Sequence, residues 1–198
     1  DVAALAEPLS CVVNGTQKVR VQPGESVAVL GAGPIGLLFT QVFAAAGAGR
    51  LVVSEITKVR AEAAAKSGAH VVLDPREPGF VQRALDETGG GADVVVDAVG
   101  TQLPTALDLV RRGGKVLLFG MNQQAAPPVH QNTITRCEIS VLGTYIANYT
   151  FPPAIRVLES GAVNADALIT HRVSVASIHE GLDAMRSGEA VKVIVTPD

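Results

Sequence analysis

Gly31, Gly33 and Gly36 stand in the order Gly31-Ala32-Gly33-Pro34-Ile35-Gly36, a G-x-G-x-x-G pattern. The pattern alone is weak, because glycines are common in turns. Its setting gives it meaning: the apolar run 27–30 precedes it directly, and a helical stretch, 34–47, follows. There each glycine answers a physical need. Gly31 permits a tight turn out of the strand, Gly33 lets a diphosphate approach the backbone, and Gly36 lets the helix pack close to the sheet. Pro34 suits a first helical turn, where its missing N–H is not needed. The free N–H groups and the helix dipole then face an anion. Glu55 follows at the end of the next apolar run, near the expected spacing of about 20 residues. A carboxylate there accepts hydrogen bonds from ribose hydroxyls and repels a 2′-phosphate, which predicts NAD over NADP. Lys58 and Arg60 stand one turn into the next helix. A base there can contact the ribose, and it can equally tolerate a 2′-phosphate. Without chemistry, the same residues would be a glycine turn and a surface glutamate.

Two further segments are expected at the same crevice. Ala98-Val99-Gly100 ends one predicted strand, and Leu118-Phe119-Gly120 ends the next. Both could equally be ordinary strand-end turns, and Asp97 could cap the following helix as well as touch a ligand. Cys11 and Cys137 are lone thiols in no CxxC and no zinc spacing, so buried free cysteine is the plain expectation. His70, His130 and His179 carry no pairing pattern.

These residues need a frame of strands and helices. Short apolar runs at 27–30, 51–53, 71–73, 93–97, 115–119 and 138–143 read as strands. Helical stretches are expected at 34–47, 58–67, 78–88 and 102–111, and 121–135 reads as a polar connection. Residues 3–13 read as a helix or helix end with a break at Glu7-Pro8. The alternation predicts a Rossmann-type doubly wound α/β fold, a six-stranded parallel sheet in the order 3-2-1-4-5-6, with the ligand crevice between strands 1 and 4. After a helix near 152–160 the tail reads differently: 171–175 extended, 176–187 helical, 191–195 a last strand. It does not continue the rhythm and looks like a return segment toward a neighbouring domain.

Composition sets the outer bounds. The chain has 198 residues, 47% hydrophobic and 18% charged, enough for a sizeable core. Aromatics make up 4% and Trp is absent, so that core must be aliphatic. A net charge of −3 with no basic stripe gives no case for nucleic acid. No apolar stretch is long enough to span a membrane, and no signal-peptide pattern is present, so a cytoplasmic setting is expected. The first residue is Asp1 rather than Met, which reads as a piece of a longer protein.

The residues also resemble a known family. ALAEPLSCVVNG at 4–15, VAVLGAGPIGLL at 27–38, VVSEITKVRAEAAAKSGAHVVLD at 52–74, DVVVDAVG at 93–100, GGKVLLFG at 113–120 and ITHRVSV at 169–175 are similar, in order and spacing, to the cofactor-binding half of zinc-dependent medium-chain alcohol dehydrogenases, especially the sorbitol and threonine dehydrogenase branch. The resemblance implies an enzyme that moves a hydride between an alcohol and NAD, with a catalytic zinc that polarises the alcohol oxygen. No residue here matches the family's zinc-binding Cys and His-Glu. The resemblance therefore implies a catalytic domain outside the chain and no turnover by the chain alone. Glu7, the Glu of the EPL stretch, is expected near that zinc in the full-length enzyme; within this chain it reads as a helix-terminal residue. The implied organisation is a catalytic-domain segment and linker helix at 1–22, the NAD-binding domain at 23–170, and a return segment at 171–198. His171 and Arg172 match a family segment, with a structural role expected for the lone His. Tyr145 either lines the nicotinamide end or serves as a core aromatic. Ile146 stands where sorbitol dehydrogenases carry an Arg, and Ile cannot bind a polyol hydroxyl. The family pairs its cofactor domains at the edge beyond strand six, so a homo-oligomer through 121–143 is expected, with a small alcohol as the substrate of the whole protein. Two other readings remain open: a zinc-free NAD(P)H quinone reductase-like member, and a nucleotide-sensing module without chemistry.

Overall fold

The computed structural model describes residues 1–197. A short 3-10 turn, Val2–Leu5, leads into α1, Ala6–Val19. The main body then alternates: β1 Ser26–Leu30, α2 Pro34–Ala45, β2 Arg50–Ser54, α3 Lys58–Lys66, β3 Val71–Leu73, α4 Phe80–Glu87, β4 Ala92–Asp97, α5 Leu103–Leu109, β5 Val110–Leu118, α6 Gln131–Arg136, β6 Ser140–Gly143 and α7 Phe151–Glu159. The strands form one six-stranded sheet, β3-β2-β1-β4-β5-β6, with every neighbour parallel. This is the expected Rossmann order. The chain leaves β1 toward β2 on one side and returns to β4 on the other, so a crevice opens at the carboxyl ends of β1 and β4.

The strands read as unbroken apolar runs because both faces of the sheet are covered. Val27, Val29, Val94 and Val96 face a core completed by α1, α2, α3 and α7. Ala28, Leu30 and Val95 face a second core completed by α4 and α5. The alternation follows from strand geometry, in which successive side chains point to opposite faces.

Several boundaries differ from the sequence expectation. The first helix is not broken at Glu7-Pro8: Pro8 falls in the first turn of α1, where its missing N–H costs nothing, and the helix runs on to Val19. It ends on Arg20, left-handed at φ 50°, whose N–H donates to the Thr16 carbonyl. The helix expected at 102–111 ends at Leu109, because Val110 already pairs with Ala92 before a register shift carries Lys115 opposite Val94. The connection 121–135 contains the start of a polar helix, α6, which has no apolar period to betray it. The tail is also a βαβ unit in its own right: β7 Ile169–Ser174 and β8 Lys192–Thr196 pair in parallel across α8, Ile178–Ser187, in a two-stranded sheet separate from the larger one.

Candidate dinucleotide-binding site

The crevice is built from the end of β1 upward. Gly31 adopts φ +93°, and its N–H donates to the Ser54 carbonyl at 2.9 Å. A Cβ there would stand 2.6 Å from Val99 Cγ2. Gly36 lies in the first turn of α2, where a Cβ would fall 1.9 Å from the Gly31 carbonyl oxygen. The helix therefore seats on the turn only because Gly36 has no side chain. Gly33 is different. Its φ of −65° suits any residue, and a Cβ would meet nothing within 4 Å. The fold does not need glycine at position 33; the space beside it is open. Pro34 is the first residue of α2, and the helix start has no side-chain cap.

Glu55 is buried, 7% exposed, just beyond β2. Its Oε2 accepts from the Ala32 N–H at 2.9 Å. Its Oε1 accepts from the N–H groups of Ile56 and Thr57, both at 2.9 Å, and from the Thr57 hydroxyl at 3.1 Å. The carboxylate thus ties the end of β2 to the glycine turn. Gly31, Gly33, Glu55, Arg60, Ala98 and Val99 line one chamber of about 360 Å³. Arg60 Nε is itself buried, with no hydrogen-bond partner among the described residues. Lys58 does not line this chamber; it lines a neighbouring hollow with Thr57, Asp74 and Arg76. The sequence reading missed four further lining residues: Ser54, Ile56, Pro75 and Gln102. Ile56 and Val99 are exposed apolar side chains, 53% and 48%. An exposed branched aliphatic right after a strand-end acid is a usable signal, because nothing in the fold rewards it. The Pro75 wall is held by Arg76, which donates to the Ile56 carbonyl at 2.9 Å and pairs with Asp74. That hydrogen-bonded pairing pulls the Asp74 carboxyl down to about 2.

A second chamber, about 410 Å³, opens on the other side of Ala98 and Val99. Ile35, Phe119, Gly120 and Tyr145, named from the sequence as candidate cofactor contacts, line it together with Glu7. Pro8, Cys11, Met121, Thr144 and Ile146 complete it. Tyr145 is 66% exposed, so it is not a core aromatic. Leu118 and Gly100 do not line either chamber. They face a separate hollow beside Asn122 and Pro127. Gly100 and Gly120 instead let two strand ends touch: a Cβ on Gly120 would lie 2.2 Å from the Gly100 nitrogen. Asp97 caps the turn, accepting from the N–H groups of Val99, Gly100 and Gln102.

Glu7 and Cys11 sit one helical turn apart, with the Cys11 thiol donating to Glu7 Oε1 at 3.4 Å. Burial pushes that thiol above its ordinary pKa, and the hydrogen bond to Glu7 adds to the shift. Zinc needs three or four protein ligands. Among the described residues no group of three or more His, Cys, Asp or Glu could hold a metal, so these side chains do not make a zinc site by themselves. Cys11 and Cys137 are both free thiols. His171 contacts the Thr170 hydroxyl on β7, and Arg172 pairs with Asp1; neither lines a chamber. His70 accepts from the Leu51 N–H at 2.9 Å and anchors the start of β2. Among the described residues, no helix is long and apolar enough to cross a membrane.

A model of the family described as zinc-binding dehydrogenase matches residues 34–160. D-arabinitol dehydrogenase 1 of Uromyces fabae is 34% identical over 99% of this chain and 58% of its own length. Among solved structures, an alcohol dehydrogenase of E. coli CFT073 complexed with NADH superposes with a TM-score of 0.89 at 25% identity, over 98% of this chain and 58% of its own. A zinc-binding dehydrogenase of Sinorhizobium meliloti 1021 bound to NADP superposes equally well, 0.89 at 29% identity, over 99% and 59%. The chain spans little more than half the length of the curated relatives it matches. With its glycine turn, strand order and helix packing accounted for, the chain belongs to the zinc-binding dehydrogenase family.

Proposed function

We propose that this chain is the NAD(H)-binding portion of an oxidoreductase that moves a hydride between a secondary alcohol and NAD. The carrying observation is Gly33. Its conformation does not require glycine, and its missing side chain leaves open space directly before the uncapped start of α2. A diphosphate fits such a place, since the helix N-terminus favours an anion and the bare backbone admits one. The first chamber then takes adenosine, its base between the exposed Ile56 and Val99, its ribose beside Glu55. The second chamber takes nicotinamide, beside Phe119, Gly120 and Tyr145.

Glu55 decides the cofactor. Oε1 has three donors, but Oε2 has only the Ala32 N–H, which leaves it room to accept a ribose hydroxyl. A 2′-phosphate placed there would meet a carboxylate. Arg60, whose side chain lines the same chamber, is a second group in reach of the ribose. NADH bound to the chain, followed by fluorescence, should be about tenfold tighter than NADPH, the scale of one unfavourable close charge contact. Equal or reversed affinity removes the NAD reading and makes Arg60 a phosphate ligand.

The chemistry of the whole protein needs more than these residues. Glu7 stands at the second chamber as a candidate contributor to a zinc site whose other ligands lie outside the 198 residues. When bound, zinc supplies a Lewis acid for the alcohol oxygen. The chain alone should bind nucleotide without turnover. Residues 1–22 and 171–198 are read as segments that pack with the catalytic part, around a cofactor domain at 23–170. β6 is one of the two edge strands of the sheet, and 121–143 is the proposed contact between copies. Free thiols and the relatives' chemistry suit a reducing, cytoplasmic setting.

A further inference from the structure

Helix α1 carries two adjacent stripes with different work. Glu7 and Cys11 line the second chamber. On the neighbouring stripe, Lys18 reaches the last residue of β6, and Asn14 and Ser10 reach the segment that follows it. Lys18 Nζ donates to the Gly143 carbonyl at 2.6 Å, and the Ser10 carbonyl accepts from the Thr150 hydroxyl at 2.6 Å. Between them Asn14, only 6% exposed, donates from Nδ2 to Thr144 Oγ1 at 3.2 Å and to the Ile146 carbonyl at 2.8 Å. The held segment is unusual. Ile146 has φ +42° and Tyr149 has φ +54°. A β-branched residue in the left-handed region persists only where its surroundings fix it. Asn14 is the buried group that grips the Ile146 carbonyl, and Tyr145 and Ile146 are side chains of the chamber wall.

We infer that Asn14 is a positioning residue for the second chamber: its amide fixes the 144–150 segment so that Tyr145 and Ile146 form the wall against which the nicotinamide ring seats. The inference rests on the dinucleotide reading above, and goes beyond it by assigning the wall's geometry to a residue that touches no ligand. Asn14 acts on one end of the cleft only. The adenosine chamber shares none of its contacts.

The test compares two nucleotides on the 198-residue chain, NADH and ADP, in Asn14→Ala and in Asn14→Asp. The second variant keeps the side-chain volume but removes the amide donor, and it serves if the alanine variant folds poorly. NADH affinity should fall about tenfold, the scale of one lost buried hydrogen bond, while ADP affinity holds. Equal loss of both, or loss of neither, overturns the role. A second readout is independent of ligand. The chain has no Trp and two Tyr, Tyr145 and Tyr149, so its tyrosine emission comes from this segment alone. Its anisotropy should drop in both variants, and unchanged anisotropy also overturns the role. If the parent chain binds neither nucleotide, the dinucleotide reading fails, while the anisotropy still decides whether Asn14 holds the wall. In an Ile146→Gly background the left-handed backbone carries no strain. Asn14→Ala should then cost much less in NADH affinity, and an undiminished cost would argue against the strained carbonyl as the point of action.

Discussion

The two chambers of the cleft are assembled by different means. At the glycine turn the shaping contacts are short in sequence: Glu55 reaches back 23 residues to Ala32, and its remaining donors are its immediate neighbours. At the other end the wall is held across 132 residues, from Asn14 to Ile146, and across 140, from Thr150 to Ser10. The floor of the first chamber, the glycine turn and Glu55, belongs to one strand-turn-helix-strand unit and is locally rigid, while Arg60, Pro75, Ala98, Val99 and Gln102 complete its walls. The second exists only after α1 has packed on the sheet, and it carries left-handed residues that need outside support. Affinity for adenosine should therefore be robust to changes elsewhere, and orientation of nicotinamide should be sensitive to them.

The glycines give the sharpest way to break this contrast. Gly36→Ala places a Cβ against the Gly31 carbonyl oxygen at 1.9 Å, a backbone atom that cannot step aside. The expected cost is about 3 kcal/mol, the upper end for overpacking, read as a lowered urea midpoint. Gly33→Ala meets nothing. It should leave stability within about 0.5 kcal/mol and still reduce NADH affinity about a hundredfold, about 2.7 kcal/mol of lost approach. Unchanged NADH binding in Gly33→Ala would remove the diphosphate from this turn. A large loss of stability there would mean that the local packing has been misjudged.

Glu55→Ala tests whether the acid serves the fold, the ligand or both. It strips partners from the Ala32 and Thr57 N–H groups, which should cost about 1–3 kcal/mol. It should also narrow the NADH-to-NADPH ratio toward unity in a fluorescence titration. A stability loss with an unchanged ratio would confine Glu55 to tying β2 to the turn. Asn14→Ala should show the opposite pattern: a smaller effect on stability and a selective effect on NADH over ADP.

The same contrast explains what the sequence made legible. Parallel strand order followed from the alternation of elements, because crossover handedness leaves few choices. Gly31, Gly33, Gly36 and Glu55 were found because their spacing is local. Phe119, Gly120 and Tyr145 were named from strand ends and family likeness, and Ile35 from the glycine motif; Gly100 and Leu118, named from strand ends too, line a different hollow, and Gly100 also clears a backbone contact. Asn14, Thr144 and Met121 were missed. Nothing in a buried asparagine's local sequence tells which carbonyl far along the chain it will hold. The helix at the end of the 121–135 connection was missed because Gln131–Arg136 has no buried residue. The tail's βαβ form was missed because one short unit gives too little rhythm to read.

The smallest expected effect lies at the opposite end of the same strands, where a change should disturb neither chamber. Asp93 accepts from the Ser26 N–H at 2.7 Å, from the Ser26 hydroxyl at 2.8 Å and from Arg111 Nε at 2.6 Å, joining the starts of β1, β4 and β5. Burial pushes the Asp93 carboxyl up, but the Ser26 donors and Arg111 outweigh it and hold it below its ordinary value. A carboxyl lowered in the folded state contributes stability above its unfolded pKa of about 3.9 and loses it as pH falls through the lower folded value. Urea midpoints of the parent chain should therefore fall below about pH 4, and Asp93→Asn should flatten that fall. At neutral pH the variant should bind NADH and ADP as the parent does, because the chambers sit at the carboxyl ends of β1 and β4, away from this cluster. A parallel loss of NADH binding would mean that strain travels along β1 and β4 into the glycine turn, and the rigidity claimed for the first chamber would fall.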